Sequence, residues 1–219
     1  MITYEQLRHN EDICTYITRA DESLCALGYT EHSFAHVTRV AETAASLLST
    51  LEYDAHTVEL AKIAGFLHDI GNLVNRTDHS LSGAIMAHRI LEHIGMPVPD
   101  IATIVTAIGN HDEGTGVPVN AVAAAMILAD KADVRRSRVR NTDITTFDIH
   151  DRVNYSVKKS TLKINEEKTQ VTLKLTVDHQ FGSVMDYFEI FMGRMLLCRK
   201  AAEKLGLKFK LIINDQQLI

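Results

Sequence analysis

Six side chains in the first 130 residues could hold a metal ion: His36, His68, Asp69, His79, His111 and Asp130. All are imidazoles or carboxylates, and none is a thiolate. Such a set suits a hard or borderline divalent ion used for hydrolysis, as iron, manganese, zinc and magnesium can be, and not a structural thiolate zinc site. The adjacent pair His68-Asp69 adds a further option. Its carboxylate can bridge two ions while the neighbouring imidazole binds one, the two-metal arrangement that activates water against phosphate. One or two divalent ions per chain is therefore the cofactor expectation.

Taken singly, each histidine has a plainer explanation, because a lone histidine near a helix end is more often a cap or a surface residue. His9, His32, His56, His88, His93, His150 and His179 are left in that class, although His32 is near enough to His36 to support it. The spacing of the other six sets them apart.

Helices must position those six. In residues 33–51, Phe34, Val37, Ala41, Ala44, Leu48 and Leu51 recur three or four apart. Asp54 caps a second helix, whose stripe Leu60, Ala64 and Leu67 runs to His68-Asp69-Ile70 and stops at Gly71. A third covers residues 80–94, ended by Gly95 and the Pro97/Pro99 pair. Asp100 caps a fourth that reaches Gly109, and a fifth starts near Asn120 and carries Asp130. Residues 3–27 read as one further helix. Four of the six candidate ligands thus fall at or just beyond a helix end, where a bundle can gather them.

After about Tyr155 the period changes from helical to alternating. Leu162 and Ile164, then Val171, Leu173, Leu175 and Val177, flank the polar turn Asn165-Glu166-Glu167-Lys168, which predicts a β-hairpin. Val184, Phe188, Phe191, Met195 and Ala202 mark a long helix ending at Gly206, and Leu207 to Ile213 alternate as a last strand. The fold class is mainly α: a helical domain over 1–155, with a small α+β extension over 156–219, a three-stranded sheet and one helix, packed on it. The last strand offers an edge to a second copy, so a homodimer is a possible assembly.

Charge divides along the same line. Residues 1–130 carry 6 Lys/Arg against 17 Asp/Glu, and residues 131–219 carry 17 against 11, giving −5 overall. Lys131, Arg135, Arg136, Arg138 and Arg140 follow directly on Asp130. If the helix continues, Lys131, Arg135 and Arg138 share one face and could grip phosphate oxygens. The same cluster could equally be a solvated helix terminus complementing the macrodipole. A negative net charge and no aromatic residues interleaved with basic ones disfavour nucleic acid as a partner. At 46% hydrophobic and 23% charged, the composition excludes disorder, and three cysteines without CxxC spacing argue against a disulfide framework. With no bilayer-length apolar run and no signal-peptide pattern, the expectation is a cytoplasmic protein without a membrane partner.

The ordered set His36, His68-Asp69 and Asp130 resembles the H…HD…D signature of the HD-domain metal-dependent phosphohydrolases. The likeness extends through Ser33-Phe34-Ala35-His36-Val37, Gly65-Phe66-Leu67-His68-Asp69-Ile70-Gly71 and Ile127-Leu128-Ala129-Asp130-Lys131-Ala132-Asp133. His79, in Asp78-His79-Ser80, is similar to the extra histidine of members with two metals. The segment from Asn110-His111-Asp112-Glu113 to Val117-Pro118 resembles part of the HD-GYP branch and of dinucleoside-tetraphosphate-cleaving relatives. Asn110 stands where HD-GYP members have a histidine, Val117 where they have tyrosine, and Asn72 where many members carry lysine or an acidic residue. Asparagine can hydrogen-bond a phosphate or a water but cannot transfer a proton at neutral pH.

The resemblance implies a first ion on His36, His68, Asp69 and Asp130, and a second on Asp69, His79 and His111. It implies a hydrolase that cleaves a phosphate ester or anhydride in a small phosphorylated substrate, with a nucleotide the leading class. Asp69 is then the catalytic residue and Asn72 a substrate contact, while Lys131 and Arg135, favoured because they lie nearest Asp130 in the basic run, are the further expected substrate contacts. The alternative is a non-enzymatic nucleotide-sensing module that acts through its C-terminal extension.

Overall fold

Short polar side chains set where most of the first helices begin. In the computed structural model, which describes residues 2–219 with the side chain of Val184 excepted, Thr3, Asn10, Ser33, Asp54 and Asn120 each accept a hydrogen bond from the backbone of the first turn they precede. They start α1 (Tyr4–Arg8), α2 (Glu11–Ala26), α3 (Phe34–Thr50), α4 (Ala55–Leu67) and α7 (Ala121–Ala132). Between the last two lie α5 (His79–His93) and α6 (Val98–Gly109).

The expected single helix over 3–27 is two helices. Asn10 turns its side chain onto the amide of Ile13, which caps α2 and ends any continuation of α1. Nor does Asp100 cap α6. That helix starts behind Pro97, and the buried Asp100 carboxylate instead accepts from His56 Nε2 at 2.8 Å.

α7 is the axis of the bundle, with every residue from Val122 to Ala132 buried. A helix apolar on all sides belongs inside others, and α3, α4, α6 and the later α9 (Val184–Lys204) pack around it. Small residues let α3 and α4 approach closely: a Cβ on Gly65 would stand 2.9 Å from the Cα of Ala41.

The chain leaves α7 at Ala132, so the basic run does not continue a helix. Arg138 donates to the carbonyls of Asp133 and Glu31, and these tertiary bonds draw residues 133–140 into an irregular path with one 3-10 turn over Arg136–Arg138. A short α8 (Ile149–Ser156) leads into the sheet.

The sheet has four strands, one more than the alternation predicts. β1 (Val157–Ile164) pairs antiparallel with β2 (Gln170–Val177), β2 pairs parallel with β3 (Lys208–Ile213), and β3 pairs antiparallel with the two-residue β4 (Gln216–Gln217). α9 makes the crossover between the parallel strands. The outer edge of β3 is therefore covered by the chain's own 216–219, and β1 is the other outer strand. On β2, Val171, Leu173, Leu175 and Val177 face inward and join one apolar core that runs from α1 to β3 without a break at residue 155. Cys14, Cys25 and Cys198 are all free thiols. No described helix is long and apolar enough to cross a membrane.

Candidate metal centre and the cleft beside it

Helix ends deliver the six candidate ligands to one point. His36 is in the first turn of α3 and Asp130 in the last turn of α7. α4 stops at Leu67, and the chain tightens into a 3-10 turn over Ile70–Leu73, with Asp69 between at φ −96° and ψ 2°. That change of winding aims two consecutive side chains, His68 and Asp69, the same way. His79 opens α5 behind Asp78, which takes the left-handed φ of 56°, and His111 follows α6. The N-terminus of α5 is held to the turn after Asp69 by the absence of a side chain at Gly71. A Cβ there would fall on the carbonyl oxygen of His79 and the amide nitrogen of Gly83.

All six are buried. One oxygen of Asp69, Oδ2, lies 3.1 Å from His68 Nε2 and 3.4 Å from His36 Nε2, and Asp130 Oδ1 closes this group at 3.3 Å from His36 Nε2. The other oxygen, Oδ1, lies 3.5 Å from His79 Nε2 and 4.0 Å from His111 Nε2. Two clusters therefore meet on one carboxylate, and each has the spacing of ligands around an ion: His36, His68 and Asp130 in one, His68, Asp69 and His111 overlapping the other.

The tautomers agree. Nδ1 of His68, His79 and His111 donates to the carbonyl of Gly65, Arg76 and Ile108 at 2.8, 3.1 and 2.6 Å. A carbonyl can only accept, so each neutral ring keeps its lone pair on Nε2, pointing at the centre. His36 differs only in its partner, since its Nδ1 lies 2.8 Å from Asp133 Oδ2. Carboxylate backing of this kind orients an imidazole and makes it a better donor, and its loss typically costs about 10–100-fold in metal affinity. The donor set fits a divalent ion: nitrogen lone pairs and carboxylate oxygens converge with few hydrogens between them.

Electrostatics divide the centre in two. Burial works against charge on His68, but Asp69 and Asp130 outweigh it and push the imidazole up to about 10. His36 is raised too, against burial and Arg138, by Asp130, Asp133 and Asp69. Burial, with His68 and Lys131 adding to it, drives His111 down to about 3, and burial also lowers His79. Burial opposes ionisation of Asp130, yet Lys131 Nζ at 2.7 Å and the two histidines hold it well below the ordinary carboxylate range.

A cleft of about 400 Å³ opens over the centre, with Asp69, His79, His111 and Asp130 in its wall. Lys131 lines it. Arg135 is not brought there: it pairs with Glu31 at 2.6 Å and Asp133 at 3.0 Å, on the other side of the chain. Asn72 is buried beneath the centre, its amide donating to Asp69 Oδ1 at 3.0 Å and its carbonyl accepting from Arg76 at 3.2 Å. It steadies Asp69, and it does not line the cleft.

Several groups there had no sequence signal. Arg76 lies at the mouth, and Arg194 arrives from α9. Arg194 and Lys131 share the Glu113 carboxylate, so the extension is tied to the residue next to the candidate ligand Asp130. His32 and His150, read as caps or surface residues, both line the cleft. Asp133 lies within the quoted motif, three residues after Asp130, and that spacing was its only trace.

Residues 33–152 match the family model of the HD domain. An uncharacterized protein of Methanocaldococcus jannaschii is 26% identical over 203 residues, spanning 82% of this chain and 77% of its own. The crystal structure of a predicted HD superfamily hydrolase from an uncultured Thermotogales bacterium is 25% identical, with a TM-score of 0.46 over 58% of this chain and 69% of that one.

Proposed function

The chain belongs to the HD domain family, and on that premise we propose that it is a metal-dependent phosphohydrolase acting on a small phosphorylated substrate, a nucleotide first among them. The observation that carries this reading is Asp69, whose two oxygens face different sets of imidazoles. His36, His68, Asp69 and Asp130 would hold one divalent ion, and Asp69, His79 and His111 a second. Ions held there supply Lewis acidity and a water acidic enough to attack phosphorus near neutral pH.

The chain's own residues do the rest. Asn72 keeps Asp69 turned so that both of its oxygens stay in use. Gly65, Arg76 and Ile108 fix three rings through their carbonyls, and Asp133 fixes the fourth. Lys131, Arg76 and Arg194 supply positive charge along the cleft, where guanidinium groups match phosphate oxygens in pairs. A cleft of about 400 Å³ suits a single small phosphate compound in preference to an extended strand.

The test is phosphate release by the purified chain, with Mn²⁺, Fe²⁺ or Mg²⁺, from nucleoside mono-, di- and triphosphates and from phosphodiesters. Turnover with one class, abolished in Asp69→Ala, is the expected result. Full turnover in Asp69→Ala, or no release from any substrate, overturns the proposal. Tight nucleotide binding without release would favour the sensing module instead.

A further inference from the structure

Behind the metal centre, on the far side of Asp133 from His36, lies a second cavity of about 570 Å³. Its walls come from both parts of the chain. Arg39 of α3 and Asp133, Arg135 and Arg136 after α7 form one side, and Lys158 and Lys159 of β1 form the other. The β1 residues lie beyond the segment that matches the family, so this cavity is a feature of how the extension meets the bundle.

Five cations line it. The carboxylates that reach them are Asp133, paired with Arg39 and Arg135, Glu31, paired with Arg135, and Asp178, paired with Arg136 and Lys158. Five against three leaves two positive charges over, and the true surplus is larger because Asp133 is shared with His36 and Arg138. Lys159 has no ion-pair partner among the described residues, and Arg39 keeps more than half of its side chain exposed while touching Asp133 at 3.3 Å. The Nη2 of Arg136 is buried with no hydrogen-bond partner, its nearest carboxylate oxygen lying 3.6 Å away. A register shift between Val157 and Lys159 interrupts the ladder where the two lysines enter the wall.

We infer that this seam is a second anion site, one that takes a small polyanion bearing two or more phosphate groups. A surplus above two positive charges exceeds what one phosphate group, at about −1.5 to −2 near pH 7, would offset, and arginine and lysine together offer both paired and single donors to phosphate oxygens. The concave shape, closed on one side by β1, fits one compact ligand and not a nucleic-acid backbone. The site is separate from the cleft, which lies across Asp133 and the ligand rings and shares none of the five cations. It does not depend on what the cleft hydrolyses.

The test is calorimetric titration of the full chain with inorganic pyrophosphate in metal-free buffer, where turnover cannot contribute. Binding is expected that weakens at least tenfold in Arg39→Gln/Lys159→Gln and less than twofold in Arg194→Gln, which alters the cleft alone. Both substituted residues are exposed, and an unchanged thermal unfolding midpoint shows that the variant is folded. Adenosine diphosphate serves as the second probe. Affinity more than tenfold above that of pyrophosphate, lost in the same double variant, marks a nucleotide ligand, and equal affinity marks recognition of the phosphates alone. No binding of pyrophosphate, binding unchanged in the double variant, or binding lost in Arg194→Gln overturns the inference. Any of these results leaves the assignment of the metal centre untouched, because no ion or activity is read.

Discussion

The Nε2 atoms of His79 and His111 stand 3.1 Å apart. Each ring has committed its Nδ1 hydrogen to a carbonyl, so two lone pairs face one another, and the nearest outside donor, Arg76, is 3.4 Å from His79. Only a proton or a cation can reconcile them. Burial disfavours the proton on both rings.

His111→Ala is therefore expected to remove one ion and leave the other. Elemental analysis of protein loaded with Mn²⁺ should fall from two ions per chain to one, whereas Asp69→Ala, whose carboxylate faces both clusters, should lose both. Equal ion content in wild type and His111→Ala would show that the second set does not bind metal.

The two halves should also differ in their response to pH. His68 keeps its proton up to about 10 in the ion-free protein, so an ion binding there must displace it. Affinity at that position should rise at least tenfold per pH unit through the neutral range, with one proton released from His68 and a further share from His36, which is raised as well. His111 is already unprotonated above about 3, so binding at the second position should be nearly flat over the same range. Metal titrations in buffers of different ionisation enthalpy, between pH 6 and 8, measure both slopes.

Gly71→Ala tests the junction that holds His79. The added methyl has backbone atoms of His79 and Gly83 in its place, and backbone cannot step aside as a flexible side chain can. A loss of roughly 1–3 kcal/mol in urea unfolding is expected, toward the upper end, as for other overpacked sites. Metal content should fall with it, since relief requires α5 to move. The same change at Gly28, where nothing lies within 4 Å of an added Cβ, creates no clash, although its φ of +81° still strains alanine.

Arg194→Gln removes a cleft charge from outside the bundle. A charge-assisted hydrogen bond is worth roughly 1.5–3 kcal/mol, which corresponds to about 10–100-fold in KM for the substrate that the phosphate-release screen identifies. Little change in kcat is expected, because Arg194 touches none of the six ligands. A kcat loss with KM unchanged would assign Arg194 to the chemistry and not to binding.

The candidate ligands were readable because most lie near a signal that is itself local. Ser33 caps the helix that starts before His36, Gly71 marks the change of winding after Asp69, and Asn120 caps the helix that carries Asp130. The basic run after Asp130 was not readable. Its helical spacing is real, but Arg138 spends its guanidinium on the carbonyls of Glu31 and Asp133, a competition that no window of sequence contains. Arg135 was consequently expected on the wrong side of Asp133. Arg194 is a stronger case, since it reaches Glu113 only because α9 crosses over between two parallel strands. The short β4 carries no alternating pattern and exists because Asn214 and Asp215 turn the chain back at φ 48° and 67°.

The parallel pairing of β2 and β3 also sets how far apart in the sequence the parts of the cleft lie. Every proposed metal ligand lies at or before residue 130, but the strand that pins the far end of α9 ends at Ile213. The ion pair between Arg194 and Glu113 therefore needs the whole of that crossover in place. The charge that α9 brings to the cleft thus depends on a strand that does not line it.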